Sequence, residues 1–393
     1  MKRNPVGFLS VLSVCFILFS AVLTVTQISA APDPNFHCYL LFGQSNMAGG
    51  GAGVPIGTCG ACTLIPADCD TSPRVKVLAF CDCSAGSGAA CTQYSSVRTH
   101  DIWYTAFPAL HICNEGVSPG DWFAKTMLDS VRSDIKIGLI PCALSGQALK
   151  VFVQGGSNFA IPTWAHPTLG NSSPYAWVLA RCKLAQQTGV IKGFLLHQGE
   201  SGSGVTSPSW IAMAIGIFDS LKKDLGLDNT LPVVVGELRQ DANACCAGFN
   251  TNIDSLAKVY PNCGLASSKN LTVQTDDPYH FDPPGMRELG RRYALALLSH
   301  ASSSYIPRQG TGVIHERAVM YQAIKSATSD IRVYSLNGRV IRSYSATNAG
   351  NVFCNLNASG VYIVSCRLNN GRTAVFPFFK EQGYTTRNRL ICW

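Results

Sequence analysis

The chain has 393 residues, 47% of them hydrophobic and 14% charged, a composition that excludes a disordered, collagen-like or coiled-coil protein and leaves room for one large domain plus a small second one. Its formal charge of +8 is unevenly placed: residues 331–393 hold eight Lys/Arg against one Glu, and Lys2 and Arg3 add two more. Residues 31–330 carry 21 basic and 22 acidic groups, so the main body has no basic face for nucleic acid, and no nucleic-acid partner is expected.

At the N-terminus, Lys2 and Arg3, an apolar run from Val6 to Val25 and the small residues Ser29, Ala30 and Ala31 follow the three-part pattern of a secretory signal peptide. Residues 1–31 are expected to be removed and the rest secreted. The alternative for a run of this length is an uncleaved membrane anchor, which the small residues before Pro32 argue against. Sixteen cysteines follow residue 31, an even number in a chain bound for an oxidising compartment, where thiols pair by default. Cys59, Cys62, Cys69, Cys81, Cys83 and Cys91 crowd into a Gly/Ala/Thr-rich stretch that reads as a cross-linked loop. A zinc site on Cys59-x-x-Cys62 and Cys81-x-Cys83 is disfavoured by irregular spacing and by the lack of a nearby histidine. Neither metal nor organic cofactor is expected.

Short apolar runs recur along the body: Cys38-Tyr-Leu-Leu-Phe42, Ile135-Lys-Ile-Gly-Leu-Ile140, Gly193-Phe-Leu-Leu196 and Pro232-Val-Val-Val-Gly236. They read as parallel strands buried on both faces. Helical stretches fall between and after them: Pro119 to Val131 behind Ser118 with Asp121 three residues on, Tyr175 to Gln187 behind Ser173-Pro174, Ile211 to Leu225, and Pro284 to Leu298. Strand alternating with helix predicts an α/β fold, a three-layer α/β/α sheet with right-handed crossovers over residues 32–300. Ligands bind such sheets outside the carboxyl ends of the strands. A Ser-rich, Pro- and Gly-containing stretch at 301–312 reads as a linker, and 313–393 as a small β domain, with a hairpin at Ile331-Arg-Val-Tyr334, Asn337-Gly338 and Arg339-Val-Ile341, a strand at Gly360-Val-Tyr-Ile-Val364, and Cys354 and Cys366 placed to close a hairpin.

The first strand runs into Gly43-Gln44-Ser45-Asn46-Met47-Ala48-Gly49. A serine on such a turn can expose its hydroxyl while its own N–H points into the same space, which suits a nucleophile; the plainer reading is a helix cap. It is not the G-x-S-x-G elbow, because position 47 is Met. Near the other end, Asp277-Pro-Tyr-His280 puts a carboxylate three residues before an imidazole, spacing that lets one orient the other, whether for catalysis or only as a structural pair; Asp276 and Asp282 are competing carboxylates. Ser145-Gly146-Gln147 and His197-Gln198-Gly199-Glu200 follow middle strands and offer oxyanion donors in the Gly146 N–H and the Gln198 amide, with Glu200 suited to holding its loop.

Leu41-Phe-Gly-Gln-Ser-Asn-Met-Ala-Gly49, His197-Gln-Gly-Glu200 and Asp277-x-x-His280-Phe281 together resemble the SGNH hydrolases, in particular the carbohydrate esterase family 6 and sialate O-acetylesterase-like branch, over residues 36–298. The resemblance implies a flavodoxin-like three-layer domain in which Ser45 is the nucleophile, His280 the base and Asp277 its partner. It assigns the Ser45 N–H, the Gly146 N–H and the Gln198 side chain to the oxyanion hole, with Gln44 and Glu200 in support. The chain departs from the family at His197, where an aromatic is usual, at Gln147, where Thr is common, and in Ser201-Gly-Ser-Gly204, which lacks an expected acid. The tail resembles a type IX secretion sorting domain in Val333-Tyr-Ser-Leu-Asn-Gly-Arg339, Gly360-Val-Tyr-Ile-Val364 and Lys380, which implies a small β-sandwich that engages secretion machinery. A carbohydrate-binding β-sandwich is the alternative, with Tyr334, Tyr344 and Tyr362 as a sugar platform. The whole is expected to be a secreted serine esterase that deacetylates plant polysaccharide, acetyl xylan first. The alternatives are an esterase for acetylated sialic acid or another acyl sugar, and a non-catalytic polysaccharide-binding protein.

Overall fold

Every residue of β1 (Phe36–Gly43) is buried, and its side chains alternate between two cores. Phe36, Cys38, Leu40 and Phe42 enter one, Tyr39 and Leu41 the other, the mark of a central strand covered on both faces. The computed structural model describes residues 31–50, 64–84, 97–113, 115–156, 158–163, 165–166, 168–202 and 207–300, and the strands of a C-terminal sheet at 331–335, 340–344, 360–367 and 373–380. The expected signal sequence, the linker, Cys59, Cys62, Cys91 and Cys354 lie outside the described residues.

Around β1 lie β2 (Val75–Leu78), β3 (Trp103–Thr105), β4 (Lys136–Ala143), β5 (Val190–His197), β6 (Val233–Gly236) and β7 (Cys263–Ala266), in the order β3-β2-β4-β1-β5-β6-β7. All pairs are parallel except β2 with β3; the four runs read from sequence are parallel as expected, and the antiparallel pair makes the sheet mixed at one edge. The exception is a three-residue edge strand, where one partner suffices. One core takes in Phe123 and Met127 of α3 (Pro119–Ser130) with Met286, Leu289, Tyr293 and Leu297 of α7 (Pro283–His300). The other takes in Trp177 and Cys182 of α4 (Pro174–Gln186), Trp210 and Phe218 of α5 (Ser207–Asp224) and Ile253 and Leu256 of α6 (Asn250–Val259). This is the expected three-layer arrangement. Local signals set the helix starts. The Ser118 N–H and hydroxyl donate to Asp121 at 2.8 and 3.0 Å, and Ser173 Oγ accepts from the Ala176 N–H behind Pro174. Two single turns, α1 (Ser45–Ala48) and α2 (Pro66–Cys69), complete the body. Among the described residues no helix is long and apolar enough to cross a membrane.

The general expectation of paired cysteines needs correcting. Cys83 bonds Cys113, Cys245 bonds its neighbour Cys246, and Cys69 is disulfide-bonded as well, but Cys38, Cys81, Cys142, Cys182 and Cys263 are buried free thiols. Most of these sit inside strands and helices and act as small apolar side chains. Burial pushes the Cys38, Cys142 and Cys263 thiols up to about 12, which makes them poor nucleophiles.

In the C-terminal region, β8 (Ile331–Ser335), β9 (Val340–Tyr344), β10 (Gly360–Arg367) and β11 (Thr373–Lys380) form one antiparallel sheet in the order β11-β10-β8-β9. The predicted hairpin is β8–β9. The described residues of this region form this one sheet. Pro377, which lacks an N–H, falls on an edge strand, where a missing donor is tolerated.

Candidate active site

Gly43 lies opposite Ala143 of β4 and His197 of β5, so three neighbouring strands end level with one another. Pairing runs one step further: the Gln44 N–H donates to the His197 carbonyl at 3.1 Å, and the Leu144 N–H to the Gly43 carbonyl at 2.9 Å. Gly43 has φ +130°, and a Cβ there would stand 2.0 Å from the His197 carbonyl oxygen, so only glycine fits. The chain then turns sharply into α1, which opens on a buried Ser45.

Two hundred and thirty-five residues downstream, the loop before α7 delivers His280, whose Nε2 lies 2.7 Å from Ser45 Oγ. His280 Nδ1 is hydrogen-bonded to Asp277 Oδ2, while the other carboxylate oxygen accepts the Tyr279 N–H at 2.6 Å and the His280 N–H at 3.3 Å. Burial alone would raise the Asp277 carboxyl. The imidazole bond, the backbone bonds and the histidine charge outweigh it and hold the group below the usual carboxylate range. An ionised Asp277 can only accept, so Nδ1 carries the proton and the Nε2 lone pair faces the serine hydroxyl. Neither competing carboxylate is the one on the imidazole: Asp276 is exposed, and Asp282 accepts from Thr272 Oγ1 at 2.5 Å and from the Gly285 N–H at 2.8 Å, at the start of α7.

The expected oxyanion donors come off the neighbouring strand ends. Gly146, at φ +73°, is exposed in a turn closed by the Gln147 N–H on the Leu144 carbonyl. Gln198 is buried; its Nε2 donates to the Gln147 carbonyl at 2.7 Å, and its Oε1 accepts the Gly199 N–H at 2.6 Å. These bonds join the two donor segments and fix which way the amide points, with one of its two N–H groups spent on Gln147. Gln44 Oε1 accepts the Ser201 N–H at 3.2 Å, which ties the nucleophile turn to the Glu200 loop.

Several supporting residues were not singled out by sequence. Asn46 Nδ2 donates to Glu200 Oε1 at 2.6 Å and to the Tyr279 carbonyl at 3.0 Å, while its Oδ1 accepts the Phe281 N–H at 3.2 Å, so it grips the histidine loop from both sides. Burial would raise Glu200, but the His197 imidazole 3.5 Å away and the bond from Asn46 bring it below the usual range. Arg239, past the end of β6 and only 3% exposed, donates to the carbonyls of Gln274, Asp277 and His280 and pairs with Asp241. Glu115, buried before α3, accepts the Ser145 hydroxyl at 3.1 Å, and burial pushes its carboxyl up to about 7 against that bond and one from the Ile112 N–H. Asn46 lies within the first motif, the one signal that flags it. Arg239 and Glu115 reach partners thirty or more positions away, three of them backbone carbonyls, and carry no local signature.

Two clusters have metal-ligand residue types among the described residues. In the first, His166 Nδ1 accepts the Leu169 N–H at 2.9 Å, so its Nε2 donates to Asp101 Oδ2 at 2.5 Å, and Asp101 Oδ1 is taken by Arg181. In the second, the sulfurs of Cys83 and Cys113 are spent on each other, with the Cys81 thiol 3.6 Å from Cys113 Sγ. Neither offers a set of free lone pairs.

Residues 35–299 match the family model described as carbohydrate esterase, sialic acid-specific acetylesterase. Among solved structures, a protein from Arabidopsis thaliana is 23% identical with a TM-score of 0.50, the match covering 69% of this chain and all of that one. A carbohydrate acetylesterase from Xanthomonas citri is 16% identical with a TM-score of 0.45, covering 84% of this chain and 62% of that one. NanS is 16% identical with a TM-score of 0.48, covering 68% of this chain and 98% of that one. At 23% identity the likeness to the Arabidopsis protein concerns the fold alone.

Proposed function

The chain belongs to the carbohydrate esterase, sialic acid-specific acetylesterase family, and from that premise we propose that it is a secreted O-acetylesterase acting on acetylated plant polysaccharide, acetyl xylan first, through a serine mechanism. The observation that carries the mechanism is the unbroken line from Ser45 Oγ through both nitrogens of His280 to Asp277. Ser45 attacks the acetyl carbonyl as His280 Nε2 takes its proton, and Asp277 stabilises the imidazolium that forms. The Ser45 N–H, the Gly146 N–H and the Gln198 amide receive the oxyanion. The imidazolium then protonates the sugar oxygen as its bond to the acetyl carbon breaks, releasing the sugar as an alcohol, and a water activated by the same base hydrolyses the acetyl-enzyme. Secretion rests on the N-terminal pattern of residues 1–31, and delivery by a secretion apparatus on the sorting-domain resemblance of the tail.

The family description favours acetylated sialic acid as a second substrate. Charge favours a neutral sugar. Sialic acid carries a carboxylate, which proteins recognise with Arg or Lys; residues 46–63, 198–210, 240–257 and 270–286 contain neither, and the loop after β4, residues 144–156, offers only the exposed Lys150. Arg239 stands near these segments, but its guanidinium is committed to backbone carbonyls and Asp241. Acetate release from acetyl xylan and from an O-acetylated sialic acid, by the wild type and by Ser45→Ala, tests the proposal. Release from xylan that disappears in the variant is the expected result. Preference for the sialate would overturn the substrate assignment, and release surviving in Ser45→Ala would overturn the nucleophile.

A further inference from the structure

Tyr279 stands between the two residues that orient each other at the site, yet its side chain takes no part in that contact. Its backbone is held at both ends, the N–H by Asp277 Oδ1 and the carbonyl by Asn46 Nδ2, and Pro278 restricts the chain before it. On this fixed backbone the ring is 47% exposed, 6.2 Å from the His280 ring centroid and inclined to it by 56°. The other large apolar side chains with comparable exposure among the described residues are aliphatic: Ile65, Val97, Ile102 and Val259.

A second apolar group stands next to it. The Cys245 N–H donates to the Pro278 carbonyl at 3.0 Å, Cys246 Sγ lies 3.9 Å from the Glu200 carbonyl oxygen, and Cys245 is exposed at the surface. The Cys245–Cys246 disulfide thus borders the loop that carries Tyr279. A rigid, exposed aromatic beside an exposed disulfide is suited to the C–H face of a sugar ring, with little ordering cost on binding.

We infer that Tyr279 is a specificity-determining residue whose ring packs against the apolar face of the neutral pyranose carrying the scissile acetyl group. The inference rests on the esterase reading above and adds the sugar-binding element to it. The test compares kcat/KM for acetylated xylotriose with that for ethyl acetate, which has no ring to stack, in the full chain and in Tyr279→Phe and Tyr279→Ala. Tyr279→Ala is expected to lower the sugar-to-ethyl acetate ratio about tenfold, mostly through KM, and Tyr279→Phe to restore it to within about twofold. An unaltered ratio, or a loss only in kcat shared by both esters, would overturn the inference. Titration of Ser45→Ala and of Ser45→Ala/Tyr279→Ala with unacetylated xylotriose separates the two claims. Tyr279-dependent binding alongside a wild type that releases no acetate would sink the esterase reading and keep the platform, whereas binding that ignores Tyr279 would sink the platform alone.

Discussion

The two halves of the Ser45–His280 pair are held in place by different means. Ser45 follows a central strand paired on both sides, and its position is set by the β1–β4 and β1–β5 ladders and by a glycine that no other residue can replace. His280 follows a stretch from 267 to 282 with no helix or extended strand beyond an isolated bridge between Val273 and Phe281, and it is held by side chains reaching in from elsewhere, Asn46 and Arg239 above all. Backbone pairing places the nucleophile, and polar side chains place the base. A lesion on the first side should therefore be read in stability, and one on the second in turnover.

The largest effect belongs to the base side. Asp277→Asn keeps the shape but gives Nδ1 a partner that no longer enforces the productive tautomer or balances the imidazolium. It is expected to cut kcat on the order of 10³–10⁴-fold with a near-native melting temperature. A loss of less than about tenfold would show that the carboxylate is structural. On the nucleophile side, Gly43→Ala forces a methyl group into the His197 carbonyl and is expected to lower the melting temperature by about 10 °C or more, corresponding to several kcal/mol. A stable Gly43→Ala protein with native activity would break the comparison. Arg239→Met removes donors from three carbonyls of the histidine loop without touching the strand ladder. It is expected to reduce kcat about 10–100-fold with KM little changed, and Arg239→Lys should recover only part, since an ammonium cannot present the guanidinium fork. Equal rates in the methionine variant would mean the loop holds itself.

The same division explains what could be read from the sequence. Buried parallel strands announce themselves as apolar runs, so β1, β4, β5 and β6 and helices α3, α4, α5 and α7 were legible, as were the short motifs at their carboxyl ends. The strands that were missed are short or half exposed: Trp103–Thr105 at the sheet edge, Val75–Leu78 beside it, and Cys263–Ala266, which has a small-residue sequence. Helix α6 went unread because Ile253 and Leu256 are nearly the whole of its buried apolar face. Ser45 and Asp277–His280 were legible as residue types at a known spacing. Arg239 was not, because three of its acceptors are backbone carbonyls, which every residue has. Cysteine parity misled in the same way: an even count says nothing about which thiols the core absorbs, and Cys38, Cys142 and Cys182 share one core cluster as free side chains.

The oxyanion side lies between these extremes and should give the smallest effect. Glu115 braces Ser145, the residue before Gly146, and its carboxyl is raised from 4.5 to about 7 by burial. Asp121, at the start of α3, is likewise raised to about 7 by burial. Between pH 4.5 and 7 the unfolded chain has lost the Glu115 proton while the folded chain keeps it, so folding takes up protons and stability falls as pH rises through that window, levelling off above it. Asp277 and Glu200, held below their ordinary range, act with the opposite sign in a more acidic window. Glu115→Gln should therefore match the wild type near pH 4.5 and exceed it at pH 8, shrinking the difference in melting temperature between those two pH values by a few degrees. Because Asp121 remains, the slope should flatten without disappearing. Parallel pH–stability curves for the two proteins would mean that Glu115 is already ionised in the folded state at pH 5. The Ser145 turn would then be braced by a charge rather than by a neutral acid.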